Sequence, residues 1–164
     1  MSVHQVLFEE KQRFRQWWLW LLLAVVAGDV LWSVVRGIRE AGTGINVYAL
    51  LLLLPAGLIL LFASCTLHTR ITEEGIAVRF FPFHREFRYF RWENISRAYV
   101  RKYSPLSEYG GWGLRGLGYN RALNISGNQG LQLLMKDGRK LLIGTAKPEI
   151  IRQVLQHIPQ LQQT

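Results

Sequence analysis

The sequence holds one cysteine, Cys65, which excludes a disulfide within the chain and any metal centre built on several cysteines. Histidine is almost as sparse. His4, His68, His84 and His157 are scattered, and none has a partner at metal-ligand spacing. No serine, histidine and acid combination suggests a nucleophile with its base. Glu73 and Glu74 imitate a carboxylate pair, but neighbours on an extended strand point to opposite faces. These absences predict a chain that is not an enzyme, with no metal and no cofactor. Acidic residues are also few, 11 against 20 Lys and Arg, for a net charge of +9. The excess sits late: residues 1–16 carry +1, residues 17–67 carry zero and residues 68–164 carry +8.

What the chain has in quantity is hydrophobic sequence. Residues 17–35 contain one charge, Asp29, and residues 47–65 contain none. At about 1.5 Å per helical residue, each nineteen-residue run covers about 28 Å, close to the hydrocarbon thickness of a bilayer. Both are expected to be transmembrane helices, the second tolerating Pro55. Trp17, Trp18, Trp20 and Trp32 suit interfacial anchoring and are unlike a cleaved leader. The linker over 36–46 is short and rich in glycine, so the spans form a hairpin. Lys11, Arg13, Arg15, Arg70 and Arg79 flank it on one side, against Arg36 and Arg39 in the linker. The positive-inside rule then places both termini in the cytoplasm and the chain in the cytoplasmic (inner) membrane as a multi-pass protein. Asp29 is an intramembrane carboxylate and so a candidate functional residue, with Arg36 two turns on or Tyr48 as its expected partner.

Beyond Thr66 the pattern alternates in short runs: 68–72, 76–81, 85–92, 98–103, 121–126, 131–136 and 140–145. Gly127-Asn128-Gln129-Gly130 and Asp137-Gly138 read as hairpin turns. Pro148-Glu149 opens a helix whose Ile150, Ile151, Val154, Leu155 and Ile158 share one face. The expected fold class is α+β: a transmembrane hairpin over 17–66 after a cytoplasmic segment 1–16, then a cytoplasmic domain over 67–164. That domain is expected as a seven-stranded barrel or sandwich capped by the final helix.

Within it, Gly111-Trp112-Gly113-Leu114-Arg115-Gly116 satisfies the letter of a dinucleotide fingerprint. The fingerprint works only when a helix follows and offers its N-terminal amides to a pyrophosphate. Here residues 119–126 read as a strand, and no Lys-Ser/Thr follows the glycines, so nucleotide binding is excluded. The loop is either a structural connection or a binding loop through Trp112 and Arg115. The segment 80–92 interleaves Arg85, Arg88 and Arg91 with Phe87, Tyr89, Phe90 and Trp92. Such interleaving suits stacked bases or an anionic membrane surface. A domain held beside the inner leaflet favours the membrane, and nucleic acid is not expected as a partner.

Three stretches carry a resemblance. They are Trp92-Glu93-Asn94-Ile95 entering a strand, the closing strand Leu141-Leu142-Ile143-Gly144-Thr145, and the Pro148-Glu149 helix start directly after it. In that order they resemble the bacterial pleckstrin-homology-like (PH-like) domains often fused to two transmembrane helices. The insertion over 104–118 departs from that pattern; it is similar to a subset with a GGWG-type loop, which brings no known chemistry with it. The resemblance implies recognition rather than catalysis: a membrane-anchored module binding a protein or peptide partner or anionic lipid. Its candidate contact residues are Arg85, Arg88, Arg91, Trp112 and Arg115. The alternative is a small accessory subunit of a transport or assembly complex that acts through the hairpin and Asp29. Homo-oligomerisation is open under either expectation.

Overall fold

The computed structural model describes residues 5–41, 45–116 and 118–159. The chain divides into two units, residues 14–65 and residues 1–13 with 66–164.

The first unit holds α1 (Trp17–Ala41) and α2 (Ile45–Ser64). Over Trp17–Glu40, α1 is long and apolar enough to cross a membrane, and only 17% of its apolar window is buried, unlike a core helix of a soluble protein. The apolar stretch Leu50–Ser64 is shorter. The glycine-rich linker expected at 36–46 is largely helix, because α1 continues to Ala41; residues 42–44 lie outside the described residues. The Trp20 indole N–H donates to the Phe14 carbonyl at 3.1 Å, and Phe14 meets Phe62 edge to face at 5.3 Å. Asp29 does not take its expected partner. Arg36 instead donates to Glu40 one turn away at 3.1 Å, which i,i+4 spacing favours over a carboxylate two turns back. Tyr48, the other expected partner, has its side chain outside the described residues. Asp29 stands exposed near the middle of α1, with no hydrogen-bond partner among the described residues.

The second unit is α+β, as expected, but its sheets do not close into a barrel, and it has nine strands among the described residues rather than seven. Strands β1 (Val6–Arg13), β2 (Thr66–Thr72), β3 (Gly75–Phe81) and β4 (Arg88–Arg91) form an antiparallel meander in that order. A 3-10 turn, Trp92–Asn94, leads into β5 (Ile95–Lys102) and the second sheet. There follow α3 (Pro105–Tyr109), β6 (Gly113–Arg115), β7 (Asn120–Asn124), β8 (Gln129–Met135), β9 (Lys140–Gly144) and α4 (Pro148–Gln156). The second sheet runs β5-β8-β9-β7-β6. The Gly127 turn therefore makes no hairpin: β7 lies parallel to β9, while β8 pairs with β5 and β9.

Two strands come from places where the alternation gave no sign. β1 lies in the segment expected as a separate cytoplasmic stretch, and it pairs with β2 from Val6↔Thr72 to Arg13↔Thr66. Its inward positions are Phe8, Glu10 and Gln12, two of them polar. Across the unit Glu10 accepts from the Thr145 hydroxyl at 2.6 Å and the Ala146 N–H at 2.9 Å, and the Gln12 amide donates to the Gly144 carbonyl at 2.8 Å, while the Gln12 oxygen is buried with no hydrogen-bond partner among the described residues. Strand β6 lies in the glycine-rich insertion.

The core is formed by Leu67, Ile71, Ile76, Val78 and Phe80 from the first sheet and Leu131, Leu133 and Ile143 from the second, each nearly inaccessible. Helix α4 buries Ile151 and leaves Ile150 exposed, and Ile158, just beyond its end, is buried as well. The other face of the second sheet has its own small cluster of Tyr103, Ala122 and Leu142, with Tyr109 of α3 packed on it. The insertion thus covers a face that would otherwise meet water.

Candidate functional site

The expected contact residues separate in space. On β4 the pleat alternates, so Arg88 and Phe90 share one face of the sheet while Tyr89 and Arg91 take the other. Arg85 is exposed in the β3–β4 connection. The insertion holds its own two candidates. The Trp112 indole N–H donates to the Gly127 carbonyl at 3.1 Å, and Arg115 Nε donates back to the Trp112 carbonyl at 3.0 Å. Asn124 joins the same frame. It is fully buried, its carbonyl oxygen accepts the Gly113 N–H at 2.9 Å, and its amide donates to the Tyr103 hydroxyl at 3.0 Å. Burial pushes the Tyr103 phenol up. Nearby, Arg101 bonds Glu108 at 2.7 Å, which holds that carboxyl below the usual range. The GGWG stretch is therefore tied to the sheet by its own side chains, and β6 and β7 follow it rather than a helix.

Of the five candidates, Arg88 lines a cleft to which the other four do not contribute. A cleft of about 740 Å³ lies between the β3–β4 connection, β4, the β6–β7 hairpin and the β8–β9 turn. Its cationic members are Arg88, Arg121, Lys136, Arg139 and Lys140, with His84 beside them and Asp137 as the one acid in the lining. Local chemistry fixes these positions. Gly138 takes φ +86°, the left-handed geometry an Asp-Gly turn needs. Asp137 then receives the Arg139 N–H at 3.0 Å and the Arg139 guanidinium at 2.6 Å. The backbone N–H first, and the guanidinium after it, hold the Asp137 carboxyl below the usual carboxylate range. The Lys140 N–H donates to the Tyr119 carbonyl at 2.6 Å, which joins this turn to the start of β7. Gly116 has φ +81°, and a Cβ there would stand 2.0 Å from the Asn120 carbonyl oxygen, so the β6–β7 hairpin closes only with glycine.

The cleft has two characters. Arg88, Arg121, Lys136, Arg139 and Lys140 are exposed around it, whereas Leu123, Met135 and Leu141 are buried beneath. His84 is half-buried, and its ring is held below the ordinary histidine pKa by burial first and then by the charges of Arg88 and Arg121. Its Nδ1 is buried without a hydrogen-bond partner among the described residues.

Sequence reading passed over His84, Arg121, Lys136, Arg139 and Lys140. The one local signal was the density of cations in Lys136-Asp137-Gly138-Arg139-Lys140, which read as a turn and nothing more. Elsewhere on the first sheet, cations are already engaged. Arg70 and Arg79 lie over the Phe87 ring at 4.9 and 4.8 Å, and Arg70 also bonds Glu9 at 2.9 Å. Among the described residues no group of three or more His, Cys, Asp or Glu side chains could hold a metal ion. Comparison of the chain with protein-family models, with curated proteins and with solved structures finds no match.

Proposed function

We propose that this chain is a non-enzymatic, membrane-anchored binding module of the PH-like kind that presents a basic cleft to anionic lipid at the inner face of the cytoplasmic membrane. The anchor in this reading is a two-span hairpin with both termini cytoplasmic. It draws support from the β1–β2 ladder, because a strand before the hairpin pairs with the strand after it and both must then share one side of any bilayer. The twenty residues of α2 would reach about 30 Å as a second span, and the flanking cations favour the cytoplasm. What supports the PH-like part of the reading is the four-stranded antiparallel meander of the first sheet and the helix α4 that comes directly after β9.

The observation that carries the binding function is the cleft's charge, five Lys and Arg against one Asp, over buried apolar side chains. Clustered cations beside a low-dielectric wall raise the local concentration of anions, and each basic group near an anionic leaflet contributes about 1 kcal/mol. The test reconstitutes the full chain in nanodiscs of phosphatidylcholine alone or with one-third phosphatidylglycerol and follows amide exchange. Slower exchange over 84–91 and 136–140 in the anionic discs, reversed by high salt, is the expected result. Equal exchange in both discs overturns anionic lipid as the ligand and leaves a protein partner, sought by crosslinking in the native membrane. The exposed Asp29 favours a second reading, an accessory subunit whose α1 meets another membrane helix, since a carboxylate at mid-span is costly unless partnered.

A further inference from the structure

We infer that the cleft receives a single phosphate-ester amphiphile, its phosphate among Arg88, Arg121 and Lys140 and its first apolar carbons against Leu114 and the Leu123–Leu141 floor. The inference rests on the binding reading above and narrows it from anionic lipid in general to one ligand class in one place.

Four observations converge on it. The first is uncompensated charge. Arg139 is occupied by Asp137, but Arg88, Arg121, Lys136 and Lys140 have no carboxylate partner among the described residues. These cations come from β4, β7, the β8–β9 turn and the start of β9, so separate elements bring like charges to one opening against their mutual repulsion. Two of them are guanidinium groups, whose planar fork matches a phosphate's oxygens better than a point charge does.

The second observation is His84. Burial first, and then the positive field of Arg88 and Arg121, lowers the pKa of its ring, and its buried Nδ1 has no hydrogen-bond partner among the described residues. An anion in the cleft offsets that positive field at the His84 ring. The third is the floor. A site for a free inorganic anion needs only donors, whereas this cleft sets Leu114 at its edge and Leu123, Met135 and Leu141 below the cations. Polar groups at one end and apolar surface at the other fit a ligand divided the same way. The fourth is size: about 740 Å³ accommodates a headgroup with a few carbons of chain, far more than a bare phosphate requires.

The experiment titrates the full chain in phosphatidylcholine nanodiscs with three soluble probes by calorimetry: dihexanoyl phosphatidic acid, dihexanoyl phosphatidylcholine and inorganic phosphate. Phosphatidic acid is expected to bind one to one and more tightly than inorganic phosphate, and phosphatidylcholine is expected not to bind. Arg121→Ala should weaken phosphatidic acid about ten- to a hundredfold, the loss of a charge-assisted hydrogen bond. Leu114→Asn should weaken phosphatidic acid and leave inorganic phosphate unchanged. Lys102→Ala, which removes the same charge outside the cleft, should change neither. Equal affinity for phosphatidic acid and inorganic phosphate overturns the amphiphile, since the floor is then unused. Equal losses from Arg121→Ala and Lys102→Ala overturn the cleft as the location. If anionic discs slow exchange over 84–91 and 136–140 while phosphatidic acid fails to bind, this inference falls and the membrane-surface reading stands. If neither occurs, both fall.

Discussion

Glu10→Ala removes the one carboxylate through which the N-terminal strand holds the far end of the second sheet. Its oxygens accept the Thr145 hydroxyl at 2.6 Å and the Ala146 N–H at 2.9 Å, in a position only 6% exposed. Hydrogen bonds to a charged acceptor contribute about 1.5–3 kcal/mol each. Thr145 can turn its hydroxyl toward water once the acceptor is gone, so the two together should cost about 2–4 kcal/mol rather than their full sum. The loss is readable as amide exchange at Ala146 and along β9 in the full chain, where about 1.4 kcal/mol of local stability corresponds to a tenfold rate. Exchange there should quicken about 30- to 1,000-fold. Glu10→Gln should cost about 1 kcal/mol. Its amide still accepts from the Ala146 N–H and can donate to the Thr145 oxygen. Lys11→Ala, on the outward face of the same strand, should change little, within about 0.5 kcal/mol. If β9 in Glu10→Ala exchanges within threefold of the parent, the argument that buried polar pairs hold β1 in place is wrong.

Gly116→Ala should open the β6–β7 hairpin, because the new Cβ meets the Asn120 carbonyl at 2.0 Å and φ is +81°; exchange confined to 113–124 should rise while the β1–β4 sheet keeps its protection. Any complex in mild detergent that depends on polar packing at Asp29 should survive Asp29→Asn and be lost with Asp29→Leu, whereas survival with Leu removes α1's carboxylate as a contact. His84 has its folded-state pKa below the unfolded value, so the unfolded chain takes up the proton first as pH falls. Stability from this residue is complete above about pH 6.5 and declines below it. The thermal midpoint should therefore drop on acidification, and His84→Gln should flatten that part of the profile.

How much of this was legible depended on whether a residue's partner was near it in sequence. The β8–β9 hairpin could be read because Asp137-Gly138 specifies its own turn, and α4 because Ile151, Val154 and Leu155 recur at helical spacing. β1 was hidden because alternation is recognised by apolar residues, and two of its three inward positions are Glu10 and Gln12. Their acceptability depends on Gly144, Thr145 and Ala146, well over a hundred residues later. The parallel β7–β9 pair was missed for a related reason. Gly127 announces a turn, but the register lies with β9, beyond the next strand. The cleft was the least readable feature, since His84, Arg121 and Lys136–Lys140 are brought together only by the folded sheets. Only Arg88, chosen for its place in an aromatic-basic run, was named in advance.

The pairing of β1 with β2 also fixes an order of events during synthesis. β1 is made well before its partner, which appears only after both helices of residues 14–65, and Glu10's donors are met only when Thr145 and Ala146 are made. Until then, even with β1 paired to β2, its carboxylate and amide face a core that does not exist. Closing so long an interval costs only slightly more entropy than a shorter one, because the cost grows with the logarithm of loop length. The consequence is temporal. The helices have left the ribosome before β1 and β2 can pair, and a chain halted before residue 144 leaves Glu10 and Gln12 without the partners that cover them, their side of the strand open to chaperones and proteases.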